Sequence, residues 1–130
     1  MEIKTIFVFG SNLAGIHGAG AALWAKQHAG AQQGLGVGMQ PGNNSYALPT
    51  KDQHIKTLSL EIIKLYVNQL IALQFTTKYI FRVTRIGCGL AGYRDKDIAP
   101  LFDSYITNRM YLPEEWRPWN PYHKEYWSWK

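Results

Sequence analysis

Apolar and polar positions follow several different rhythms along this chain. Ile3-Lys4-Thr5-Ile6-Phe7-Val8-Phe9 is a short run rich in β-branched and aromatic residues. It predicts a strand buried on both faces and ended by Gly10-Ser11-Asn12. After a glycine-rich turn, Ala21 to Ala29 consists mostly of helix formers, and Gly30 stands where a helix C-terminal glycine belongs. Gly34 to Gly42 is too glycine-rich for a regular interior element, and Ser45 to Pro49 reads as a short strand closed by its proline. Between Ser59 and Phe75, the residues Ile62, Ile63, Tyr66, Val67, Leu70 and Ile71 recur at three- and four-residue steps. That spacing predicts an amphipathic helix with Ser59 as N-cap and Glu61 in its first turn. Tyr79 to Thr84 is a further strand. Ile98, Leu101, Phe102, Tyr105 and Ile106 then mark a helical face, with Asp97 as the expected N-cap because Pro100 must fall in the first turn. Met110 to Leu112 predicts a last strand.

Alternation of strand and helix predicts an α/β domain over residues 1–112, a sheet covered by helices. Residues 113–130 hold four of the five tryptophans and three of the six prolines, and are expected to form an irregular aromatic tail packed on the domain. At 130 residues, 46% hydrophobic and 18% charged, the chain has enough apolar material for one core and is not a disordered one. A lone cysteine, Cys88, excludes an internal disulfide framework, and the four histidines show no metal-ligand spacing. No apolar run approaches the ~20 residues of a membrane span. The expectation is a soluble protein with no membrane partner and no cofactor, located in the cytoplasm, or in the host cytoplasm for a viral chain. Fourteen basic and nine acidic side chains give a net charge of +5. That charge fits either simple solubility or an anionic partner, and the scatter of Lys51, Arg82, Arg85, Arg94 and Arg117 does not decide between them.

Chemistry concentrates in two glycine turns placed after strands, Gly10 to Gly20 and Gly87 to Tyr93. Ligands of open α/β sheets lie outside the carboxyl ends of the strands. Glycine lets the backbone approach a ligand there, and a following helix N-terminus offers unpaired N–H groups suited to phosphate. Two such turns facing one crevice suit a diphosphate. Gly15-x-x-Gly18-x-Gly20 has the wrong order for the dinucleotide fingerprint, and no Gly-Lys-Ser/Thr occurs, which disfavours hydride-transferring and NTP-hydrolysing enzymes.

Three blocks in order carry a resemblance: Gly18-Ala19-Gly20-Ala21-Ala22, Tyr46-Ala47-Leu48-Pro49-Thr50-Lys51 and Arg85-Ile86-Gly87-Cys88-Gly89-Leu90. The chain resembles the macrodomain family of ADP-ribose-binding modules, over roughly Ile3 to Leu112. It is most similar to the subgroup holding the terminal ADP-ribose protein glycohydrolase and the glycohydrolases that strip ADP-ribose from DNA. The resemblance implies a three-layer α/β/α fold around a mixed sheet, with ADP-ribose or a related nucleotide as ligand, free or carried by a protein or nucleic acid. It places Asn12 on the distal ribose and Gly18, Ala19 and Gly20 along ribose and diphosphate. Gly87, Cys88, Gly89 and Leu90, continued by Ala91, Gly92 and Tyr93, become the opposing loop. Lys51 matches the lysine that attacks the anomeric carbon in this subgroup.

Two departures stand out. Ala91 occupies the position of an assisting aspartate, leaving Asp95 or Asp97 as stand-ins, and no early aspartate is present for adenine, which leaves stacking on Tyr93 or Trp116. His17 reads as an exposed loop residue or a phosphate donor, and Cys88 as a small residue in a tight turn. The resemblance thus implies nucleotide binding, with three outcomes open: hydrolysis through Lys51, retention without turnover, or a nucleic-acid-binding role for the positive charge.

Overall fold

Alternate residues of the first strand feed two separate cores. The computed structural model of the chain describes residues 3–102 and 105–129. In it, β1 (Thr5–Asn12) sends Ile6 and Val8 into one cluster and Phe7 and Phe9 into the other, as the two-residue period of a strand requires. The helix α1 (Gly20–His28) covers the Phe7 and Phe9 side with Ala22 and Ala25. The helix α2 (Leu60–Leu73) covers the Ile6 and Val8 side with Ile63, Val67, Leu70 and Ile71. Ser59 caps α2 as predicted, its hydroxyl accepting a hydrogen bond from the Ile62 N–H at 3.3 Å.

The remaining strands are β2 (Gly38–Met39), β3 (Ser45–Lys51), β4 (Ile80–Val83), β5 (Met110–Pro113) and β6 (Tyr126–Trp127). They form one sheet in the order β2-β3-β1-β4-β5-β6. β2 pairs antiparallel with β3, and the other strand pairs are parallel among the described residues. The chain is therefore an α/β protein with a six-stranded mixed sheet. β1 and β3 both run further than predicted, because Ser11 and Asn12 continue pairing with Pro49 and Lys51 across a register shift. Pro49 does not break β3, since β2 pairs only with Tyr46 and Ala47 and asks no donor of the proline. The glycine-rich segment before β3 does hold a regular element, the two-residue β2.

Three further expectations need correction. The last helix opens at Asp95, not after Asp97: α3 spans Asp95–Ile98, and the Asp97 carboxylate accepts a hydrogen bond from the Arg94 N–H at 3.0 Å. Pro100 cannot donate to an α-helical ladder, so the chain continues as a 3-10 turn, Ala99–Phe102. Tyr105, placed on the inward face by spacing, is 83% exposed and has φ 60°; residues 103 and 104 of that predicted face lie outside the described residues. The tail, in turn, is regular in part, with a 3-10 turn over Glu114–Trp119 and β6 added parallel to β5.

Tail aromatics complete both cores. Trp116 is fully buried against Phe102, ring centroids 5.3 Å apart. On the other face, Phe7 is ringed by Trp24, Trp127 and Trp129, and the Trp127 indole donates to the Val83 carbonyl at 2.7 Å. Among the described residues no helix is long and apolar enough to cross a membrane.

Candidate functional site

Parallel pairing brings the carboxyl ends of β3, β1 and β4 to one edge, and both glycine turns leave from it. Crossovers from β1 and β3 place α1 and α2 against opposite faces of the sheet, so the chain path reverses at β1. In an open α/β sheet, that reversal is where a crevice forms. Gly87 is the meeting point. Its φ of 76° is left-handed, and a Cβ there would lie 3.0 Å from Ile98 Cδ1 and 3.7 Å from Thr50 Cγ2. Gly10 faces it from β1, where a Cβ would sit 3.5 Å from the Gly87 nitrogen. A side chain at Gly87 would be strained by that left-handed φ and would press on Ile98, whereas a Cβ at Gly10 would make only ordinary contact.

Beyond this tight junction the loops open outward. Gly18, Ala19, Gly20, Gly89, Leu90 and Gly92 are exposed, and a Cβ on Gly20, Gly89 or Gly92 would meet nothing within 4 Å. Ala19, just before α1, provides no side-chain cap, and the first turn of α1 holds no acidic residue. Its leading N–H groups and the positive end of its dipole therefore face the loop without a counter-charge from the chain itself.

Asn12 and Lys51 are partners in the β1–β3 register, so the predicted ribose ligand and the predicted nucleophile stand side by side. Asn12, however, is already committed. Its side-chain N–H donates to the Ile16 carbonyl at 2.9 Å and its oxygen accepts from the Ile16 N–H at 3.0 Å. That clasp shapes the loop and leaves one N–H and one lone pair for a ligand. Lys51 is half-buried and has no carboxylate within ion-pair distance among the described residues.

Asp52, Asp95 and Asp97, the carboxylates closest in sequence to Lys51 and Ala91, are engaged elsewhere. Asp52 accepts from the His54 and Lys56 N–H groups at 2.8 and 3.0 Å, and those backbone bonds, Lys56 first, hold its carboxyl below the usual range. Asp95 takes a two-bond grip from Arg85 at 3.0 and 2.7 Å and the Trp116 indole N–H at 2.8 Å. Asp97, inside the first turn of α3, accepts from the Arg94 backbone N–H. At Ala91, the carbonyl accepts from the Thr57 hydroxyl at 2.9 Å, which ties the Gly89–Gly92 turn to the segment after β3.

Other expectations change with the geometry. His17 is not exposed. It is fully buried edge-on to Phe9, with Nε2 3.0 Å from the Leu35 carbonyl and Nδ1 without a partner. Facing a carbonyl, Nε2 is the donor of that bond. Trp116, fully buried in the core, has no free face for adenine. Tyr93 is half-buried and pinned by a 2.6 Å hydrogen bond from its hydroxyl to the Leu58 carbonyl. Burial, then the Asp95 charge, pushes the Cys88 thiol up to about 12, which leaves it protonated and unsuited to attack.

One cleft, of about 350 Å³, adjoins this edge and is lined by Arg85, Cys88, Tyr93, Arg94, Asp95, Lys96 and Trp119. Cys88 and Tyr93 belong to the second glycine turn, whereas Asn12, Gly18, Ala19, Gly20 and Lys51 do not line it. Arg94, Lys96 and Trp119 were not singled out from sequence as site residues. The run Arg94-Asp95-Lys96 directly after the glycine turn was visible there, but the arrival of Trp119 from the tail was not. Among the described residues no group of three or more His, Cys, Asp or Glu is placed to hold a metal. No protein-family model, curated protein or solved structure matches this chain.

Proposed function

We propose that this protein binds ADP-ribose or a closely related nucleotide at the carboxyl edge of its sheet and holds it without turnover. The observation that carries this reading is the convergence of two glycine loops from adjacent parallel strands, with open backbone at Gly20, Gly89 and Gly92 and an uncapped α1. Backbone N–H groups and a helix N-terminus suit a diphosphate. In this reading the helices on either side of the sheet make a macrodomain-like three-layer α/β/α arrangement. The nucleotide arrives free or attached to a protein or nucleic acid.

Retention is favoured over hydrolysis by the state of the carboxylates. With Ala91 in the loop and Asp52, Asp95 and Asp97 all engaged in other hydrogen bonds, none of these positions offers a free carboxylate to take or return a proton during attack by an amine. Hydrolysis through Lys51 is the second reading, and the register pairing of Lys51 with Asn12 favours it.

Calorimetric titration with ADP-ribose is expected to give a dissociation constant of about a micromolar or tighter. Gly89→Glu abolishes binding by setting a carboxylate against the diphosphate, while Lys51→Ala leaves it largely intact. Failure to saturate at millimolar ADP-ribose overturns the reading. Release of ADP-ribose from a modified protein or oligonucleotide by the wild type, and not by Lys51→Ala, establishes the hydrolytic alternative.

A further inference from the structure

We infer that the cleft between the second glycine turn and the tail is a site for a phosphate-bearing nucleobase, with the base on Trp119 and the phosphate on Arg94 and Lys96. Its charge is the first support. Three cations and one carboxylate line it, and the carboxylate of Asp95 is answered by Arg85. Arg94 and Lys96 are exposed, and neither has a carboxylate within ion-pair distance among the described residues. The nearby Asp97 carboxylate accepts from the Arg94 backbone N–H. The lining therefore presents two positive charges without an ion-pair partner among the described residues.

Trp119 supplies the second support. Trp116 lies buried against Phe102, and Trp127 and Trp129 pack on Phe7 and each other. Trp119 enters no ring–ring pair among the described residues and is 39% exposed while lining the cleft. An aromatic face next to unpaired cations is the combination that holds a base and its phosphate together. At about 350 Å³, the cleft lies at the small end of ligand pockets (roughly 300–1,000 Å³), a size for one nucleotide unit. The same chemistry is offered by a free mononucleotide and by one unit of a single-stranded nucleic acid. Asn12, Gly18–Gly20 and Lys51 are not part of this cleft, although Cys88 and Tyr93 of the second glycine turn line it, so its test reads Trp119, Arg94 and Lys96, which the ADP-ribose reading does not use.

The test is amide and indole ¹⁵N NMR of the full chain titrated with adenosine 5′-monophosphate and, in a second arm, with a single-stranded oligothymidylate. Expected are shifts at the Trp119 indole N–H and the Arg94–Lys96 amides, with affinity lowered about tenfold or more by Lys96→Glu and by Trp119→Ala. Lys96→Glu changes an exposed side chain and keeps the test open should Trp119→Ala perturb the tail. Saturation by the monophosphate identifies a free-nucleotide site; response to the oligonucleotide alone, weakening steeply with salt, identifies a nucleic-acid site. Absence of Trp119 shifts with both ligands, shifts confined to residues 12–20, or unchanged affinity in Lys96→Glu overturns the inference. Failure of ADP-ribose to bind the crevice leaves these outcomes unaffected.

Discussion

Asp95 joins more of the structure than any other single side chain around the cleft. Its carboxylate receives Arg85 through two bonds and the buried Trp116 indole through a third. Burial pushes its carboxyl up, but the hydrogen bonds from Arg85 and Trp116 and the guanidinium charge outweigh that and hold it below the usual range. The Arg85 side chain is 48% exposed, so the ion pair as such contributes little. The larger loss from Asp95→Ala is the stranded Trp116 N–H, at about 1–3 kcal/mol for an unsatisfied buried donor. A carboxyl depressed on folding adds stability that is present above its unfolded pKa, ~3.9, and is lost as pH falls through the folded value. Denaturant unfolding of wild type and Asp95→Asn should therefore show a gap at pH 7 that narrows in acid. A gap that widens below pH 4 would contradict this linkage.

At the scale of elements, α2 was legible because its signals are local. The three- and four-residue spacing, the Ser59 cap and the first-turn Glu61 all act within the helix, and the structure retains each. Its two faces give a direct check. Leu70 is fully buried and Leu65 is 57% exposed, so Leu70→Ala is expected to cost about 2–5 kcal/mol and Leu65→Ala no more than about 0.5 kcal/mol, measured by thermal or urea unfolding. Similar losses at both positions would mean that α2 is rotated from its present packing. What sequence hid was non-local. The strand β6 is two residues long and exists through pairing with β5 and the Trp127 bond to Val83, none of which leaves a periodic trace. The site divides the same way. The positions of both glycine turns followed from strand ends, but the Asn12 clasp on Ile16 depends on loop geometry. The burial of His17 depends on Phe9 and the Leu35 segment, and the cleft depends on a tryptophan arriving from far along the chain.

For the molecule as a whole, the tail decides whether there is one folding unit or a domain with an appendage. Trp116 belongs to the same apolar cluster as Ile98, Phe102, Met110 and Leu112, and on the opposite face Trp127 and Trp129 close over Phe7 and Trp24. The face of the sheet that α1 leaves uncovered near β4 is thus shielded by the tail, with Arg82 5.8 Å above the Trp127 ring. Removing residues 113–130 would strip both cores at once and delete the Trp119 wall of the cleft. Such a truncation should fail to unfold cooperatively, exposing Phe7, Met110 and Leu112 to solvent and to association. The graded version is more discriminating: Trp116→Ala is expected to cost about 3–5 kcal/mol, whereas Trp129, 60% exposed, should cost markedly less when changed to alanine. Calorimetric melting of the two variants separates the alternatives. A Trp116→Ala melt close to wild type would make the tail an appendage, and would require a core that closes around Phe102 without it.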